Sequence, residues 1–102
     1  MRPQTVTVAA TGTSAWIPLD PKQTPFNVGF GCVITGLPTY TVQHTFDNVL
    51  AGETATAFDN ATVAGETTNM DGNYAFPVAA IRLNVTAGTG SVTMKILQGS
   101  VT

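Results

Sequence analysis

The sequence has little charge. Only 10% of its 102 residues are Asp, Glu, Lys or Arg, and the formal net charge is −2. Soluble domains usually carry about 25% charged residues, so neutral polar groups, threonine above all, must form most of the surface. The basic residues Arg2, Lys22, Arg82 and Lys95 are scattered along the chain. This scatter argues against the basic patch by which proteins bind nucleic acid.

Cysteine and histidine each occur once. Cys32 has no partner for an internal disulfide and lies among alternating apolar residues, so we predict a buried thiol. His44 lies between Val42 and Phe46 on one face of a predicted strand, with no cysteine near it to complete a zinc site. We therefore predict a core or interface histidine. If His44 lies in an interface, its protonation near pH 6 would weaken assembly.

Long apolar runs and catalytic motifs are also missing. No stretch is long enough to span a membrane, and no apolar signal segment follows Met1. Phosphate-binding glycine loops, nucleophile elbows and paired-cysteine motifs do not occur in the chain. We predict a protein that is made in the cytoplasm, binds no membrane, has no cofactor or metal site, and is not an enzyme.

The sequence is instead rich in alternation between apolar and polar or small residues. Phe26, Val28, Phe30, Cys32 and Ile34 fall on one side of a predicted strand, which is the pattern of a strand with one buried face. This strand, 26–34, is predicted to be the centre of the fold. The opposite side carries two glycines, at positions 29 and 31, which suggest a bulge or the close approach of another backbone.

Similar alternation predicts five more strands. They cover residues 4–10, 14–19, 40–47, 79–86 and 91–97. Turn residues at 35–39 predict a hairpin between 26–34 and 40–47, and the glycine-rich stretch 87–90 predicts a second hairpin. With short strands elsewhere, the total is seven to eight strands. The prediction is a single antiparallel β-sandwich domain over residues 1–102.

The stretch from Asn48 to Gly72 has no clear period. About 25 such residues are long for a loop in a compact domain, so either short strands are hidden there, around Phe58 and Val63, or the loop is functional. Asp59–Asn60 and Asp71–Asn73 offer oxygen ligands for calcium. Their spacing matches no EF-hand loop, and residues of these types are common in turns without a metal.

Four residues are the candidates for an interface with another protein. They are Arg2, Trp16, His44 and Phe58. A second possibility is an aromatic platform for sugars formed by Trp16, Tyr40 and Phe58. Exposed edge strands need cover, and few lysines protect them here, so the terminal segments 2–10 and 99–102 are predicted to pair with a partner.

Three stretches, PFNVGFGCVITG, YTVQHTFDN and DGNYAFPVAAIRLNVTAGTGSVTMKILQG, together resemble small virion structural proteins of tailed bacteriophages. The resemblance runs from about Trp16 to Gly99. Several such proteins are jelly-roll-like β-sandwiches that decorate or cement capsids as dimers or trimers. The resemblance implies a capsid cement or decoration protein on the virion surface. Its implied partners are the major capsid protein and further copies of itself, as a homodimer or homotrimer. The alternatives are a component of a phage tail, neck or fibre, and a carbohydrate-binding module.

Overall fold

The computed structural model describes residues 4–19, 27–52, 54–75 and 77–98, and these residues are almost entirely β-structure. Seven strands form one antiparallel sheet. The strands are β1 (Gln4–Val8), β2 (Gly12–Thr13), β3 (Ile17–Pro18), β4 (Val28–Thr45), β5 (Phe58–Asp59), β6 (Met70–Tyr74) and β7 (Ala80–Gln98). A single 3-10 turn, Val49–Ala51, is the only helical element within the described residues. The predicted all-β, antiparallel fold is confirmed.

The two long strands β4 and β7 pair with each other from end to end. Val28 lies opposite Gln98, and Thr45 lies opposite Ala80. Both predicted hairpins are therefore wrong, because the stretches 35–39 and 87–90 continue the strands instead of reversing them. The turn residues of the two stretches lie opposite one another across the pair. Gly36 is opposite Gly90, and Pro38 is opposite Gly88.

These glycines allow the two backbones to come very close. Gly88 and Gly90 have φ angles of 87° and 110°, a region that side chains rarely permit. A Cβ atom on Gly90 would overlap the carbonyl oxygen of Thr35, and one on Gly88 would overlap that of Leu37. The residues that look like a turn in the sequence thus form a crowded bend within a continuous strand pair.

We call the two parts of the sheet on either side of this bend the first half and the second half. In the first half the strand order is β1-β7-β4-β6, built on Val28–Cys32 of β4 and Val92–Ile96 of β7. In the second half, β2 and β3 pair with the start of β7, and β5 pairs with the end of β4. The long strands belong to both halves, which fold over a shared core.

A β-bulge keeps the inner face of β7 apolar on both sides of the bend. Thr39 pairs with Ala87, but Tyr40 pairs with Val85, so Thr86 is the extra residue. The extra residue changes which positions point inward, from odd numbers before it to even numbers after it. The buried side chains confirm the predicted inward sets: Ile81, Leu83 and Val85, then Val92, Met94 and Ile96.

The predicted reason for Gly29 and Gly31 is wrong. No register shift occurs beside them, and Cβ atoms added there would meet nothing within 4 Å. Both glycines pair regularly with β7, opposite Leu97 and Lys95. Their place on the outer face of the first half leaves a bare strip of backbone there.

The stretch from Asn48 to Gly72 contains β5, the start of β6 and a segment, residues 60–66, that lies along β4. The Val42 amide donates to the Val63 carbonyl at 2.9 Å, and the Asn60 amide donates to the Val42 carbonyl at 2.8 Å. Val63 is fully buried and belongs to the core, although it lies outside any strand. Thr41 is buried as well, and its hydroxyl accepts a hydrogen bond from the Gly65 amide.

The N-terminal strand β1 pairs with β7 of the same chain. Gln4 to Val8 pair with Ile96 to Val92, so one edge of the segment is ordered without a second protein. The pairing of this segment with a partner stays a prediction. Arg2 and residues 99–102 lie outside the described residues.

Candidate functional site

Four aromatic rings gather where β4 ends. His44 stacks on Phe58, its partner across the β4–β5 pair, with 5.9 Å between ring centroids and 23° between ring planes. Phe46 contacts the edge of His44 at 5.6 Å and Phe58 at 5.7 Å. Tyr74 meets His44 from the first half at 5.0 Å. This aromatic cluster ties the second half to the first and reaches the surface through its two phenylalanines.

His44 is the buried centre of the cluster, with 8% of its surface exposed. A hydrogen bond of 2.9 Å joins its Nδ1 atom to the hydroxyl of Tyr74. Burial lowers the pKa of His44, against a smaller opposite effect of the Asp59 carboxylate. Burial also raises the pKa of Tyr74 to about 12. Both groups are therefore uncharged near neutral pH, as a hydrogen-bonded pair between the halves.

Three large apolar side chains near the cluster face solvent, and we call them the end patch. Phe46 is 56% exposed, Phe58 is 48% exposed and Leu50 is 79% exposed. Phe46 and Leu50 also line a cavity of about 590 Å³ at this end of the sheet. Its other apolar walls come from Leu19, Val49, Pro77 and Val78. A group of exposed apolar side chains around a concavity is typical of a binding surface.

A polar row crosses the outer face of the second half. The Arg82 guanidinium lies 4.4 Å from the centroid of the Trp16 ring, and its Nε donates to the side-chain oxygen of Gln43 at 2.8 Å. Gln43 in turn donates to Asp59 at 2.9 Å. Trp16 is half-buried on this face, whereas its neighbour Ile17 is in the core. Trp16 therefore lies on the outer face of the sheet, and the next residue points into the core.

The predicted sugar platform is wrong. Tyr40 is fully buried, and its hydroxyl donates to the Thr68 carbonyl at 2.6 Å. Burial raises the pKa of Tyr40. Trp16 contacts Arg82 on the outer face, while Phe58 stacks on the inward-facing His44. The three aromatic residues therefore share no surface.

The outer face of the first half has a shallow groove of about 390 Å³ over the bare glycine strip. Gly29 and Gly31 form its floor, and Lys95 and Leu97 of β7 form one side. Val33 and Leu97 are both about half-exposed on this face. The groove is a second candidate surface, flatter than the end patch.

Two further polar or reactive groups, Cys32 and Asn60, are buried. Cys32 is buried, which raises its pKa to about 12, so the thiol predicted to be buried is also protonated at ordinary pH. The Asn60 side-chain oxygen accepts from the amides of Thr62 and Val63.

Within the described residues, no three His, Cys, Asp or Glu side chains are grouped as metal ligands. The described part of the chain also has no helix of the length and hydropathy needed to cross a bilayer.

The four interface candidates do not form one site. His44 and Phe58 lie together in the aromatic cluster, Trp16 lies on the opposite face of the sheet, and Arg2 is outside the described residues. Their role in an interface stays a prediction. The sequence reasoning missed Phe46 and Leu50 as exposed residues. Phe46 follows the inward alternation of β4 but lies one residue beyond its end, where the sheet no longer covers it.

Comparison with known proteins assigns the chain to no family. No family model and no curated protein matches the chain. One solved structure to which it is similar is described as "Bacillus endospore appendages form a novel family of disulfide-linked pili". The match covers 99% of this chain and 88% of that chain, with 17% identity and a TM-score of 0.45. A likeness this distant carries no argument about function, and the phage resemblance remains a prediction from the sequence.

Proposed function

We propose that the chain is a non-enzymatic virion structural protein that binds the major capsid protein as a capsid cement or decoration protein. The observation that carries the proposal is the end patch, three large exposed apolar side chains of which two, Phe46 and Leu50, line a cavity at one end of the sheet. Apolar residues grouped in this way mark sites that another protein covers. The resemblance to small phage virion proteins names the partner.

The scaffold suits such a role. A protein that clamps neighbouring shell subunits must present its binding groups on a rigid scaffold. The continuous pairing of β4 with β7, and the hydrogen bond between His44 and Tyr74, join the half that carries the end patch to the other half of the sheet. The low charge of the surface also suits a chain packed among many protein subunits.

The proposal is tested by binding to capsid shells that lack the chain. Leu50→Ser removes one apolar side chain from the end patch, and Leu37→Ser is its matched control. Both leucines are 79% exposed, but Leu37 lies at the bend, away from the patch. We expect Leu50→Ser to weaken shell binding by about tenfold or more, as for a central contact residue, and Leu37→Ser to bind like the wild type.

Equal binding by both variants would contradict the end patch as the shell-binding surface. Binding to isolated tails or necks, with none to shells, would favour the alternative of a tail component. The carbohydrate-binding alternative is weakened, because the aromatic residues on which it rested are divided between the core and two faces.

A further inference from the structure

Within the described residues, strand β1 lies at one edge of the first half of the sheet. It pairs with β7 on one side, and no strand among the described residues lies on its other side. In an antiparallel strand, alternate N–H and C=O groups point to each side. The outer edge of β1 therefore presents a short row of backbone groups that another strand can bond.

This edge lacks the features by which proteins protect free strands. Its sequence is Gln-Thr-Val-Thr-Val, with no charge, no proline and no glycine, and with four residues of high β-propensity. The opposite edge of the same half is β6, whose sequence Met-Asp-Gly-Asn-Tyr contains three residue types that are rare in strands, one of them a carboxylate. Of the two edges, β1 is the one suited to pairing.

The core is incompletely covered at the same place. Val6 and Val8 pack against the core but are only half-buried, whereas their partners on β7, Met94 and Val92, are fully buried. A further strand beside β1 would cover the open sides of both valines. One added strand would therefore both bond the edge that is unpaired among the described residues and cover the two valines.

We propose that the edge of β1 pairs antiparallel with β1 of a second copy of this chain, about a two-fold axis at Val6. This axis places Thr5 opposite the partner subunit's Thr7, and Thr7 opposite the partner subunit's Thr5. No charges are opposed in this register. Thr7 already bonds Thr93 across the strand pair, with 3.0 Å between the hydroxyl oxygens, so the threonine row continues into the second copy.

The second copy fits because a two-fold pair uses the same residues on both sides. The sheet of the first half then runs through both subunits, as β6-β4-β7-β1 followed by the same strands in reverse order. A contact through five residues is smaller than a standard interface. We therefore expect a dimer that forms with rising protein concentration. This inference concerns self-association and does not depend on the proposed binding to a shell.

Two double variants that differ only at position 7 test this register. Thr5→Glu with Thr7→Glu places two carboxylates opposite each other twice across the axis, whereas Thr5→Glu with Thr7→Lys places opposite charges there. Thr5 pairs with Lys95 within the chain, so the first substitution has the same internal effect in both. Sedimentation velocity over a series of concentrations measures the mass, and circular dichroism checks that each variant is folded.

We expect the wild type and the Glu/Lys variant to reach the mass of two chains, and the Glu/Glu variant to stay at one. A wild type that remains a single chain at every soluble concentration would overturn the proposal. So would equal masses for the two variants, or a trimer. If the Glu/Glu variant does not fold, amide hydrogen exchange of the wild type decides. Alternate amides of β1 should gain protection as concentration rises, and unchanged exchange would contradict the pairing.

Discussion

The Nδ1 atom of His44 and the hydroxyl oxygen of Tyr74 lie 2.9 Å apart and join the second half of the sheet to the first. His44 belongs to the end of β4, and Tyr74 is the last residue of β6. Because both side chains are buried, the bond forms away from water, where a lost partner is not replaced. The pair therefore stabilises the closure of the two halves over the core.

Removal of the Tyr74 hydroxyl should weaken this closure. We expect Tyr74→Phe to lower the free energy of unfolding by about 1–3 kcal/mol, since the buried imidazole loses a hydrogen-bond partner. Urea denaturation of Tyr74→Phe, His44→Phe and the double variant measures the coupling between the two side chains. Losses that simply add in the double variant would show that the bond has no energetic role.

Stability should fall as the solution is made acidic. The pKa of His44 is lowered in the folded protein, so below about pH 6.5 the unfolded chain binds a proton that the folded chain does not. This difference stabilises the unfolded state progressively until the pH reaches the lowered pKa. Denaturation between pH 8 and pH 5 should show this decline in the wild type and a flatter curve for His44→Gln. Parallel curves would contradict the assignment.

Phe30 should contribute strongly to the core. It is buried and contacts Tyr74 at 5.7 Å between ring centroids. We expect Phe30→Ala to cost about 3–5 kcal/mol. Val33→Ala on the opposite face of β4, where half of the side chain is exposed, should cost less than about 0.5 kcal/mol. Similar losses for the two variants, measured by chemical denaturation, would mean that the facing of β4 is wrong.

The glycines of the bend and of the outer strip should respond differently to alanine. Gly90→Ala forces a side chain into a positive φ angle and against the Thr35 carbonyl, with about 1–3 kcal/mol of backbone strain alone. Gly29→Ala meets only open space and should be neutral or stabilise by up to about 1 kcal/mol. Thermal unfolding compares the two, and an equal loss of stability would refute the close approach at the bend.

Alternation predicted the strands and their facing because it reports local burial directly. Ile81, Leu83 and Val85 are inward as predicted, and so is the cysteine at position 32. The two hairpin predictions failed because glycine and proline indicate an unusual backbone but do not show whether the chain reverses direction. Gly36 and Gly90 suggest two separate turns in the sequence, but they lie opposite each other in one strand pair. Only the pairing of distant segments distinguishes the two outcomes.

The candidate surfaces were harder to predict for a related reason. Phe46 continues the inward pattern of His44, and only the end of the sheet exposes it. Thr41 shows the opposite case, since it lies between the inward residues Tyr40 and Val42 but is covered by a segment distant in sequence. Exposure at such positions depends on the path of residues 60–66, which has no periodic signal in the sequence.

The proposed role as a structural protein of a viral shell is tested by the copy number of the chain in purified virions. Quantitative mass spectrometry against the major capsid protein gives the ratio, and cryo-electron microscopy gives the location. We predict copies in fixed proportion to the capsid subunits, spread over the whole shell. Copies confined to one vertex would contradict a cement role and indicate the neck or tail, and absence from the particle would refute the structural role altogether.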